Sequence, residues 1–107
     1  MLYEHRVYQP LPGRARQLES RFRDVTVPLM QRYSVDAVGF WTSESDAEEH
    51  IHCLLRWRDL EERERTWLSL TADADWLRGR AQAEADGPLV ARLTNEFWHP
   101  APFLLLP

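Results

Sequence analysis

Residues 50–57, His-Ile-His-Cys-Leu-Leu-Arg-Trp, alternate with a period of two. His50, His52, Leu54 and Arg56 fall on one side of an extended chain, and Ile51, Cys53, Leu55 and Trp57 on the other. One side is polar and titratable, the other apolar. A strand of this kind belongs in an antiparallel sheet with helices over its apolar face and something wetter opposite. The function then turns on what the second face meets.

The rest of the chain supplies the partners of that strand. Residues 2–9 also alternate, Leu2, Glu4, Arg6 and Tyr8 against Tyr3, His5, Val7 and Gln9, which predicts a first strand. Pro10-Leu-Pro-Gly13 is a turn. Leu18, Phe22, Val25, Leu29 and Tyr33 recur at steps of four and three, one stripe of an amphipathic helix that Pro28 should kink. Val35–Thr42 is β-branched and aromatic, hence a strand, and the polar Ser43–Glu49 reads as its hairpin connection. Asp59 is placed to cap a helix through Leu60, Glu64, Trp67 and Leu68, and Asp73 or Asp75 a shorter one carrying Trp76, Leu77 and Ala81. Gly87-Pro88 stops that helix, and Leu89–Trp98 is a last strand. The order β-α-β-β-α-β is the ferredoxin-like α+β pattern, a four-stranded antiparallel sheet with two helices on one face.

Composition excludes several classes. At 107 residues the chain is expected to be one domain, and 44% hydrophobic residues with 12 aromatics exclude disorder. No apolar run approaches the ~20 residues of a membrane span, and the opening Met-Leu-Tyr-Glu-His-Arg is unlike a signal peptide. A single cysteine forms no internal disulfide, so a cytoplasmic location is expected. The net charge of −4 with interspersed signs argues against nucleic acid as a partner. All 13 basic residues are arginine, which excludes lysine Schiff-base chemistry; codon usage is the simplest reason for that bias.

Apolar positions assigned to the helix side leave an unusual set opposite. Ile51, Cys53, Leu55 and Trp57, with Val38, Phe40, Leu93 and Phe97, face the helices. The first strand can be read either way round; with its more polar set outward, the open face gathers Glu4, Arg6, Tyr8, Trp41, His52, Arg92, Glu96 and Trp98. Two tryptophans and a tyrosine on a bare surface call for a partner or ligand. A homodimer whose sheets stack face to face around a lined cavity satisfies them, and the apolar Phe103–Leu106 is either a segment packed on the second subunit or a frayed end.

Within that cavity His52 would move a proton, Tyr8 or Arg6 would stabilise negative charge, and Glu4 or Glu96 would orient the histidine. The competing reading is a polar dimer interface, with Glu4 and Arg6 in ion pairs to Arg92 or Glu96 across strands. Trp41, Arg92, Glu96 and Trp98 would contact the bound molecule. His50 and His52 have chelate spacing but need a third ligand from Glu4, Glu96 or His99, so no metal, haem or other cofactor is expected. Cys53 is expected buried and inert. The run Arg58–Arg65 reads as a solvated helix face, and Trp67 and Trp76 as packing.

Tyr3-Glu4-His5-Arg6-Val7-Tyr8 followed by Pro12-Gly13 resembles the opening of NIPSNAP-family proteins. Gly39-Phe40-Trp41-Thr42 is similar to their Gly-Phe-Trp/Phe-Thr strand, and His52 to Leu60 to their His-His-Leu-Trp-x-Tyr-x-Asp-Leu. Asp73-Ala74-Asp75-Trp76 and the closing Asn95–Phe103 fit as well. The resemblance spans nearly the whole chain and implies a dimeric α+β barrel. It does not fix one activity: related barrels host cofactor-free monooxygenases, haem-degrading enzymes and cyclases, and family members include non-catalytic binding proteins. Cys53 stands where the family has a second histidine, Leu55 for its tryptophan, and His5 for its leucine; on the face assignment above, His5 points away from the cavity. The expectation is a homodimer binding a small, largely apolar molecule, either a cofactor-independent enzyme (oxygenation, isomerisation or cyclisation) or a non-catalytic module for ligand or protein.

Overall fold

The computed structural model describes residues 1–45 and 48–103. Four strands, β1 (Leu2–Pro10), β2 (Asp36–Ser45), β3 (Glu48–Trp57) and β4 (Val90–Trp98), form one antiparallel sheet in the order β2-β3-β1-β4. Helical segments follow β1 and β3: α1 (Ala15–Arg21), a π-helical turn (Phe22–Thr26) and α2 (Val27–Arg32), then α3 (Leu60–Thr71) and α4 (Ala74–Ala83). All of them pack on one face of the sheet. This is the expected ferredoxin-like α+β arrangement. Among the described residues no helix is long and apolar enough to cross a membrane.

The anticipated caps are present. The Asp59 carboxylate accepts from the Glu62 amide at 2.8 Å and opens α3, while Asp73, rather than Asp75, accepts from the Asp75 amide at 2.7 Å and opens α4. Pro28 acts as foreseen, but as a wide turn. Its ring excludes the carbonyl four residues back, and the chain adopts a π turn in which the Val27 amide reaches back five residues to the Phe22 carbonyl. Gly79 lets α4 approach that turn, since a Cβ there would lie 2.7 Å from a Val25 methyl.

Two expectations are corrected here. Ser43–Glu49 is not wholly a connection: both strands run on, pairing Ser43 with His50 and Ser45 with Glu48, and residues 46–47 lie outside the described set. Val38 does not join the helix-facing row. The register of β2 shifts between Ala37 and Gly39, leaving Val38 as an extra residue, half exposed. Of the apolar tail, Phe103 is exposed, and the leucines after it lie outside the described residues.

The core sits between sheet and helices. Ile51, Cys53, Leu55 and Trp57 from β3 meet Leu18, Phe22, Leu29, Met30 and Leu70, all nearly closed to solvent. Cys53 is fully buried and makes no reactive thiolate: burial pushes its thiol up to about 12.

Candidate functional site

The first strand presents the opposite face to the one expected. Leu2, Glu4, Arg6 and Tyr8 are buried beneath the helices, while Tyr3, His5, Val7 and Gln9 line the open face. Hydrophobicity alone misassigned this strand because its buried ions are neutralised by groups distant in sequence. Glu4, 0% exposed, accepts five hydrogen bonds: from Arg6 Nη1 at 3.0 Å, Arg63 Nε at 3.0 Å and Nη2 at 2.8 Å, Trp57 Nε1 at 3.1 Å and Asn95 Nδ2 at 3.0 Å. Burial alone would raise its carboxyl, yet the hydrogen bonds and charges of Arg63 and Arg6 hold it below the usual glutamate range. The expected ion pairs to Arg92 and Glu96 are replaced by this set.

Arg6 is equally engaged. Its Nε donates to the Tyr8 hydroxyl at 2.9 Å, and its guanidinium lies 4.4 Å from the centre of the Trp67 ring. Burial pushes the Tyr8 phenol up, so Tyr8 is a hydrogen-bonding neutral group and not a base. Arg63 was grouped with a solvated helix face. It belongs instead to the Trp67 side of α3, four residues earlier on the same helical stripe, which is the signal that could have found it.

Beside this network lies a cavity of about 530 Å³, between β1, β4, the π turn, α3 and α4. Arg6, Tyr8, Arg21, Phe22, Trp67 and Trp76 are among its lining residues. Leu77 and Arg80 border it from the exposed side of α4. Trp67 and Trp76, expected as plain packing, therefore also wall a cavity.

The open face carries a second cluster. Its predicted members Trp41, His52, Arg92, Glu96 and Trp98 are on the strands and sides expected. His5 joins them, correcting the expectation that it points away. His5 Nε2 and His52 Nδ1 are 2.9 Å apart, and His52 Nε2 lies 2.6 Å from the Ser43 hydroxyl. His5 Nδ1 is 3.8 Å from Glu96, which in turn accepts from Trp98 Nε1 at 2.8 Å. Burial, with His5 and His50 nearby, lowers the pKa of His52. Trp41 folds back over Gly39, where a Cβ would meet its ring at 2.8 Å. Trp41 and Trp98 remain 52% and 43% exposed.

The sheet thus separates the groups that were to act together. His52 lies on the open face, and Glu4, Arg6 and Tyr8 lie beneath the helices, so His52 is oriented by His5 and Ser43 rather than by Glu4. Ser43 was missed because it was read as loop. Among the described residues no three His, Cys, Asp or Glu side chains converge as metal ligands would.

A ferredoxin-like α+β domain with an arginine-bearing cavity under its helices and a histidine pair on its open face is what these residues build. The chain belongs to the NIPSNAP family, whose model matches residues 3–105. An uncharacterized NIPSNAP-like domain protein from Burkholderia xenovorans has the same fold, with a TM-score of 0.82 and 22% identity over 98% of this chain and 89% of that one. A NIPSNAP family protein with unknown function from Agrobacterium tumefaciens gives a TM-score of 0.81 and 24% identity, covering 97% and 91%. A Pseudomonas aeruginosa protein is more distant, with a TM-score of 0.59 and 18% identity, covering 94% and 93%. No curated protein matches this chain.

Proposed function

We propose that this protein is a homodimer that binds a small, largely apolar molecule, and that the molecule sits in the cavity beneath the helices. The cavity itself carries the reading. Its volume is that of a small-molecule site, its walls are mainly aromatic and aliphatic, and a few polar groups converge on it. The dimer is supported by the open face, where two half-exposed tryptophans flank a histidine pair. Stacking of two such sheets would cover both.

Binding rather than turnover is the reading that fits the groups available. The arginines at the cavity, Arg21 among them, are donors suited to holding negative charge. The proton carrier assigned from sequence, His52, is on the other side of the sheet. A cofactor-independent isomerisation or oxygenation at this cavity would need its base from another group.

Leu77 is half exposed at the cavity border, so enlarging it leaves the core packing alone. In a titration of apolar and aromatic small molecules followed by tryptophan fluorescence, Trp67 and Trp76 should report binding. Leu77→Trp should then weaken that binding at least tenfold with Tm unchanged. Equal affinity in wild type and variant would remove the cavity from consideration.

A further inference from the structure

Arg21 is the unusual member of the cavity lining. It closes α1, is 7% exposed, and its side chain is 6% exposed. Its Nε is buried with no hydrogen-bond partner, the one such side-chain atom among the described residues. A buried guanidinium donor left unpaired is costly, and native structures seldom tolerate one without a reason. The Arg21 ring partner is Trp76, 5.8 Å away, which holds the cation against an apolar wall without satisfying its N–H groups.

Among the described residues, the carboxylate that reaches Arg21 holds it loosely. Glu84, which follows the last turn of α4, lies 3.3 Å from Arg21 Nη1 and divides itself with Arg80 at 3.5 Å. Among the described lining residues Glu84 is the one carboxylate, against Arg6, Arg21 and Arg80. In a chain with a net charge of −4, this cavity has a local excess of positive charge. Arg6 is not free to serve, because Glu4 and Tyr8 already occupy it. Arg21 is therefore a buried cation with unused donor capacity, and Glu84 shows that a carboxylate fits beside its Nη1.

We infer that the cavity selects small monocarboxylic acids, whose carboxylate displaces Glu84 from Arg21 while the apolar body packs against Trp67, Trp76, Phe22 and Leu70. This rests on the cavity being the ligand site, and it adds the chemical class. A single guanidinium with its flat fork matches a carboxylate, and Glu84 turning toward Arg80 and solvent leaves that fork open. Arg21 and Phe22, consecutive where α1 passes into the π turn, both line the cavity, so the acid and the start of its apolar body have adjoining partners.

Isothermal titration calorimetry at neutral pH tests this with matched pairs: phenylacetate against phenylacetamide, and octanoate against octanamide. The acids should bind at least about tenfold more tightly than the amides, the scale of one charge-assisted hydrogen bond. Arg21→Gln should bring each acid down to the level of its amide, and Glu84→Gln should strengthen acid binding several-fold by removing the competitor. Leu77→Trp should weaken acids and amides alike. Should Arg21→Gln fail to fold, the Glu84→Gln shift and the acid–amide ratio decide the matter. If amides bind as tightly as acids and Leu77→Trp blocks both, the carboxylate class is wrong while the cavity stands. If neither binds at millimolar concentration, the cavity reading and the acid class both fall.

Discussion

Beneath the helices, Glu4 is shut off from water and receives donors from Arg6, Trp57, Arg63 and Asn95, drawn from β1, β3, α3 and β4. On the open face of the same sheet, one bond joins His5 to His52, one joins His52 to Ser43, and Glu96 stands 3.8 Å from His5. The first cluster is over-supplied and the second is thinly held. The contrast follows from solvation: a charge closed off from water must have its hydrogen bonds replaced by protein, whereas an exposed one need not. The buried cluster therefore belongs to the stability of the fold. The open one, with its two half-exposed tryptophans, is free to serve an interface.

The sharpest break of this contrast is removal of the buried carboxylate. Glu4→Ala leaves Arg6 and Arg63 facing each other without their anion, a change that costs about 3–5 kcal/mol when the pair is buried. Urea unfolding followed by tryptophan fluorescence should show this as a large drop in the midpoint, or as a chain that does not fold. A loss under about 1 kcal/mol would mean that the network is ordinary surface pairing.

The open face should respond in association rather than in subunit stability. Val7 lies at its middle, paired to His52 on one side and Thr94 on the other. Val7→Arg would set two like charges against each other across a face-to-face dimer, weakening association by about a hundredfold or more while leaving the helix-side core intact. Sedimentation velocity across a dilution series reads this directly. If wild type is a monomer at every concentration, or if the variant remains a dimer, the stacked-sheet arrangement is wrong.

The sequence revealed the two structures unequally, for a physical reason. Strands, helices, caps and the sides of β3 and β4 follow from local periodicity, and all were readable. So was the family resemblance. The side of β1 was hidden because Glu4, Arg6 and Tyr8 look like the polar row of an open face until Arg63, Trp57 and Asn95 are brought alongside by the fold. Ser43 looked like a turn residue because polar strand ends and loops share a composition. Arg21 and Glu84 are 63 positions apart, and their meeting beside the cavity depends on α4 reaching the π turn, which no local pattern encodes. What was legible was each residue's neighbour along the chain; what was hidden was its neighbour across the fold.

The smallest expected effect separates the two clusters by pH. With Nε2 near Ser43 and Nδ1 near His5, the neutral His52 ring donates at one nitrogen and accepts at the other, in either tautomer. A proton added to His52 makes both nitrogens donors, so whichever of His5 and Ser43 was donating to the ring must turn to accept. The lowered pKa of His52 has the same sense: the folded state binds this proton less readily than the unfolded chain. Stability therefore rises with pH through this range. The contribution is complete above the unfolded value of about 6.5 and is lost as pH falls through the lower folded value. Glu4, also held low, acts in the same direction but only below about pH 4.3, where glutamates begin to protonate. Between pH 7 and pH 5, then, the decline belongs to the open face. Melting at fixed protein concentration should show wild type losing Tm over that interval and His52→Gln losing less. Parallel curves for the two proteins would mean that the histidine pair carries no proton-linked stability.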